Sequence, residues 1–151
     1  MSRRAGWARA LATVAVVLAL DQATKQLAVA SLDRGESRNV FFGLDITNTR
    51  NRGVAFGALD GSGAIVAVLI AVALVLLLAY FTAHAGRDWL WLPVGMLLGG
   101  ALGNLADRAR EGAVIDFIDP VAWPAFNLAD ASIVVGVFAL LYVVEGQPGR
   151  G

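Results

Sequence analysis

Residues 63–82, GAIVAVLIAVALVLLLAYFT, contain no charged side chain. A run of about 20 apolar residues is the length that crosses a hydrocarbon core as a helix. In lipid the backbone must satisfy its own hydrogen bonds, so helix is the conformation open to such a run. The rest of the chain does not dilute the signal: of 151 residues, 58% are hydrophobic and 16% charged, with mean hydropathy +0.67. These values predict an integral membrane protein rather than a soluble domain with one buried helix. Zero net charge provides no basic field, which argues against a nucleic-acid partner. The absence of cysteine excludes disulfides, thiolate metal sites and a cysteine nucleophile.

Three further segments are candidate spans. Residues 89–106, WLWLPVGMLLGGALGNLA, open with interfacial tryptophans and carry Gly95, Gly99 and Gly103 at four-residue spacing. That spacing lets a second helix backbone approach closely. Residues 126–144, FNLADASIVVGVFALLYVV, confine their polar groups to the first turns. The amino-terminal segment has two readings. Arg3, Arg4 and Arg9, the apolar run ALATVAVVLAL and Ala28-Val29-Ala30 resemble a cleavable signal peptide. The polar Asp21, Gln22 and Lys25 before the A-x-A favour a retained span over about 8–32, with Asp21 and Lys25 on one helix face.

The expectation is an all-α integral membrane protein. It is a single domain, 1–151, built as a bundle of four transmembrane helices with a small extracytoplasmic sheet subdomain at about 33–61, between the first and second helices. In NVFFGLDIT, Val40, Phe42, Leu44 and Ile46 alternate with their neighbours, which suggests one strand. NTRNRGVAFG is expected to return as a second. The arginine cluster at the amino terminus favours a cytoplasmic start, hence both termini inside. The loop arginines do not decide the matter, because Arg34, Arg38, Arg50, Arg52, Arg108 and Arg110 would then lie outside.

In this topology Asp21, Lys25, Asn51, Asn104, Asp107, Arg108, Asn127 and Asp130 gather at one membrane face. Ionisable groups at membrane depth are costly and mark function by default. Asn127 as an N-cap and Asp130 as a helix-start acid would also suit a plain helix terminus. The lone histidine, His84, falls in the opposite turn, so a histidine triad or histidine-held metal has no source. Ser132 stands two residues after Asp130 and so projects from another helix face. Carboxylates remain the available reactive groups. Two aspartates sharing a proton can activate water without metal or cofactor.

The ordered series DQATK (21–25), RNRGVAF (50–56), GGALGNLADR (99–108), VIDF (114–117) and FNLADASI (126–133) closely resembles the bacterial lipoprotein signal peptidase family, signal peptidase II. The resemblance covers nearly the whole chain. It departs at Arg52 and Val54 and in the short loop DPVAWPA. It implies a multi-pass inner-membrane aspartic endopeptidase with both termini cytoplasmic and an active site near the extracytoplasmic face. Such an enzyme cuts prolipoproteins before a diacylglyceryl-modified cysteine. By motif, Asp116 and Asp130 are the catalytic pair, while Asp21, Lys25, Asn51, Asn104, Asp107, Arg108 and Asn127 hold the pocket. Lipid-anchored prolipoproteins and membrane lipids are the implied partners, and no metal or cofactor is called for.

Asp130, near a helix start, is expected to carry the negative charge, and Asp116, on an extended stretch, the shared proton. Asp119, followed by Pro120, reads as a turn residue. Arg108 would pair with Asp107 or brace substrate backbone. A small proton-coupled transporter or channel is the alternative, but a relay needs ionisable groups through the whole thickness of the membrane.

Overall fold

The computed structural model describes residues 1–53 and 63–146. The elements follow in the order α1 (Arg3–Ser31), β1 (Ser37–Phe41), β2 (Leu44–Asn51), α2 (Gly63–His84), α3 (Trp91–Glu111), β3 (Val114–Pro120) and α4 (Leu128–Glu145). α1 is one unbroken helix of 29 residues, about 44 Å long at 1.5 Å per residue. Its first turn is capped by the Ser2 hydroxyl, which accepts from the Ala5 N–H at 3.2 Å.

α3 lies at the centre, with α1 along one side and α4 along another. The glycines make this closeness possible. A Cβ on Gly95 would stand 2.5 Å from Thr13 Cβ, and one on Gly99 2.8 Å from Val17 Cβ, so α1 rests directly on the α3 backbone. Gly100 faces α4 instead, where a Cβ would stand 2.6 Å from the Ala129 carbonyl oxygen. The expected seam of Gly95, Gly99 and Gly103 faces α1, and Gly100 adds a close approach to α4 on the adjacent face.

Outward surfaces are apolar. Leu11, Leu27, Leu69, Val75, Leu105, Val134 and Phe138 are all exposed, while Asp21, Lys25 and Asp107 are buried. Such inversion suits a hydrocarbon surrounding, where the costly exposed groups are the polar ones. Among the described residues, α4 meets the length and apolarity needed to cross a bilayer, and Val68–His84 forms a shorter apolar stretch. α1 and α3 are diluted by the ionisable groups at their ends. A compact apolar cluster of Ala10, Phe81, Ala85, Leu90 and Val94 closes the bundle at the α2–α3 turn, and His84 ends α2 there.

The strand expectations need correction. Phe42 and Gly43 form a tight turn, with Gly43 at φ +72°, so NVFFGLDIT is a hairpin and not one strand. Its alternation runs across two strands because both present the same period of two. The return strand is β2, Leu44–Asn51; the part of the expected second strand at 54–57 lies outside the described residues. Nor is the sheet confined to the segment between the first two helices, or the protein all-α. β3, from between α3 and α4, pairs antiparallel with β2, in the order β1-β2-β3. Asp119 is a strand residue opposite Asp45, not a turn residue.

Candidate active site

Three charged side chains with no exposed surface, Asp21 and Lys25 of α1 and Asp107 of α3, form the base of the site. Burying ions costs several kcal/mol each unless every donor and acceptor is matched. Here they are. Lys25 Nζ meets Asp21 Oδ2 at 2.8 Å, Asp107 Oδ2 at 2.7 Å and Asn104 Oδ1 at 3.1 Å, which uses all three ammonium donors.

The other acceptors of these carboxylates reach backbone. Asp21 Oδ1 accepts from the Ala129 N–H at 2.9 Å, and Asp107 Oδ2 from the Ile115 N–H at 3.2 Å. Ala129 immediately precedes Asp130, and Ile115 immediately precedes Asp116. One lysine thus ties together the backbone that delivers both candidate catalytic aspartates, one from a helix start and the other from a strand.

Asp116 lies on β3, where Thr49 of β2 is its register partner. With a period of two, Asn51 shares the Thr49 face, and its Nδ2 donates to Asp116 Oδ2 at 3.1 Å. Asn127 Nδ2 donates to Asp116 Oδ1 at 2.8 Å and to Asn104 Oδ1 at 3.1 Å. Asn104 Nδ2 in turn donates to Asp130 Oδ1 at 2.8 Å. Asn127 and Asp130 also form a reciprocal capping box: the Asp130 N–H donates to Asn127 Oδ1 at 2.9 Å, and the Asn127 N–H to Asp130 Oδ2 at 3.4 Å. The capping role and the site role therefore coexist in the same two residues.

The electrostatics of the two carboxylates differ. Asp116 is 2% exposed and Asp130 half-buried. Burial pushes the Asp116 carboxyl from 3.8 up to about 6; the Asn51 hydrogen bond opposes the rise, and the Asp130 charge reinforces it. Asp130 accepts from the Asn104 side-chain amide and from the Asn127 backbone N–H at a helix start.

Eight of the nine residues expected at the site join this network. Arg108 does not: it is exposed, and among the described residues no hydrogen bond or ion pair holds its guanidinium. Asp107 pairs with Lys25 and Arg110 instead, the latter at 3.3 Å, because a residue three positions on shares its helix face and an adjacent one does not. Two participants escaped the sequence reading. Gln22 Nε2 donates to Asp21 Oδ2 and Asp107 Oδ1, both at 3.1 Å, and Arg110 donates to Gln22 Oε1. The i,i+3 spacing from Asp107 was the available signal for Arg110; for Gln22 it was adjacency to Asp21. Ser132 turns away and donates to the Met96 carbonyl at 3.0 Å.

An apolar-surfaced helical fold with a buried polar centre at one end is the arrangement a membrane enzyme requires, and the solved structures it resembles are membrane enzymes. A bacterial membrane enzyme determined by the in meso method at 1.9 Å resolution superposes with a TM-score of 0.80 at 30% identity, covering 92% of this chain and 94% of the other. A second, at 2.3 Å resolution, gives 0.77, also at 30% identity, covering 94% and 93%. Residues 13–144 match the family described as signal peptidase (SPase) II. Curated relatives include the lipoprotein signal peptidase of Halothermothrix orenii, 40% identical over 142 residues and covering 91% of this chain and 96% of the relative. That of Moorella thermoacetica is 43% identical over 142 residues, covering 89% and 93%. The chain belongs to the signal peptidase II family.

Proposed function

We propose that the protein is a membrane aspartic endopeptidase that removes signal peptides from prolipoproteins, cutting before a diacylglyceryl-modified cysteine with Asp116 and Asp130 as its catalytic pair. The observation that carries this reading is the shared amide frame. Asn127 and Asn104 connect the two carboxylates through hydrogen bonds of 2.8, 3.1 and 2.8 Å. In the proposed reaction, Asp130 takes a proton from water as the water oxygen adds to the scissile carbonyl carbon. Asp116 gives its proton to the departing nitrogen as the C–N bond breaks, and the proton on Asp130 then returns to Asp116. The raised Asp116 carboxyl supports its role as the acid.

In this reading the single domain spans the membrane four times, at about 8–32, 63–82, 89–106 and 126–144. Both termini are cytoplasmic, and the site and sheet lie at the extracytoplasmic face. The helix lengths support it: 22 and 21 residues for α2 and α3 reach about 30 Å. Because the chain lacks cysteine, Glu36→Cys and Gly86→Cys test the orientation. Labelling of the first alone by an impermeant thiol reagent added outside is the expected result.

A proton relay is less well supported, because residues 10–20, 63–82, 91–106 and 131–144 carry no charged side chain to continue the network along the bundle. Purified protein is expected to cleave a lipid-modified prolipoprotein and leave an unmodified one intact. Near-normal turnover by folded Asp116→Asn or Asp130→Asn would eliminate the dyad.

A further inference from the structure

The sheet carries an apolar tip that the active-site network does not use. Phe42 is 95% exposed, Val121 84%, Phe41 70% and Trp123 69%. They come from two segments far apart in sequence, the β1–β2 turn and the β3–α4 loop, joined by the Val121 N–H donating to the Gly43 carbonyl at 3.0 Å.

We propose that these two segments form one wedge that enters the lipid interface at the sheet side of the membrane and holds β2 and β3, with Asn51 and Asp116, at a fixed height above the hydrocarbon. This rests on the topology proposed above. Three observations point to lipid as the occupant.

Part of the wedge backbone is satisfied from within. The Phe41 carbonyl accepts from Asn39 Nδ2 at 3.0 Å, and the Trp123 N–H donates to the Pro120 carbonyl at 3.1 Å. Internal satisfaction is what an apolar phase demands of irregular backbone. Asn39 and Asp45 beside the turn are also paired, Asn39 Nδ2 donating to Asp45 Oδ1 at 2.7 Å.

The apolar helix surface extends to this end. Leu27 and Leu105, close in sequence to Lys25 and Asp107, are 66% and 59% exposed. Trp123 is tethered to the start of α4 at Leu128, which restricts it to within about 17 Å at full extension. Aromatic side chains at that depth favour the headgroup boundary.

Two single-cysteine proteins, Phe42→Cys and Val121→Cys, carry spin labels, with Arg38→Cys on the adjoining strand β1 as the reference. Each is reconstituted in vesicles of phosphatidylcholine and phosphatidylglycerol without substrate. Relaxation by oxygen, which concentrates in lipid, is compared with relaxation by an aqueous nickel chelate. Labels at 42 and 121 are expected to favour oxygen several-fold over the label at 38. Equal access of the nickel chelate to all three overturns the wedge. So does protection of 42 and 121 that arises only after lipid-modified prolipoprotein is added, which would assign the patch to substrate. Cleavage in detergent is measured on the same samples. Intact cleavage with water-exposed labels defeats the wedge alone, whereas lipid-shielded labels without cleavage defeat the peptidase reading alone.

Discussion

Replacing Asp116 by asparagine is expected to stabilise the protein at neutral to alkaline pH while abolishing cleavage. The group ionises near 3.8 when free and near 6 in the folded protein. Between those values the folded state binds more protons than the unfolded one, so Asp116 makes stability fall as pH rises. The penalty begins near pH 4 and is complete above pH 6. At about 1.36 kcal/mol per pH unit, the ionised carboxylate costs roughly 3 kcal/mol. Asparagine removes that cost. It also offers one carbonyl oxygen where the carboxylate presented two acceptors to Asn51 and Asn127, a loss of about 1–2 kcal/mol. The net gain at pH 8 is then about 1–2 kcal/mol. Below pH 4 the gain vanishes and the variant becomes the less stable protein. Thermal unfolding of both proteins in detergent from pH 4 to pH 8 reads the difference directly. A difference that is flat with pH, or that favours the variant most in acid, would refute the assignment of a buried, costly charge to Asp116.

Lys25→Met leaves Asp21 buried without a cation and Asp107 with only the exposed Arg110, and should cost about 3–5 kcal/mol in the same unfolding assay. It should also eliminate turnover, since both backbone tethers depend on the lysine. In Gly103→Ala the new Cβ would stand 3.1 Å from Asp21 Cγ. Overpacking of about 1–3 kcal/mol should appear there together with a fall in kcat, whereas a normal kcat would show that Asp21 can move without consequence. Arg108→Ala removes an exposed side chain, so stability should stay within about 0.5 kcal/mol. Its cleavage rate should nevertheless fall if the guanidinium braces substrate, and unchanged cleavage would remove Arg108 from the site.

The helices were legible in the sequence because lipid imposes a local rule. A long uncharged run such as 63–82 has one conformation available, and its length sets its use. The four-residue glycine spacing likewise foretold close helix contact, since spacing maps directly onto a helix face. The gathering of Asp21, Lys25, Asn104, Asp107, Asn127 and Asp130 followed from placing spans alternately up and down.

The sheet was less legible. Alternation in NVFFGLDIT announces extended chain, but a strand's period is the same on either side of a turn, so the hairpin at Gly43 went unseen. That β3 joins β2 is a pairing between residues such as Thr49 and Asp116, and no local pattern names a partner so distant in sequence. Arg110 is a different case: its i,i+3 spacing from Asp107 is a local signal that sets it on the Asp107 face and Arg108 off it. Residue order thus settles which groups are confined to one end of the bundle. How Lys25 holds Asp107 to Ile115 and Asp21 to Ala129, and so sets one aspartate against the other, depends on contacts between helices and strand that form only when the chain is folded.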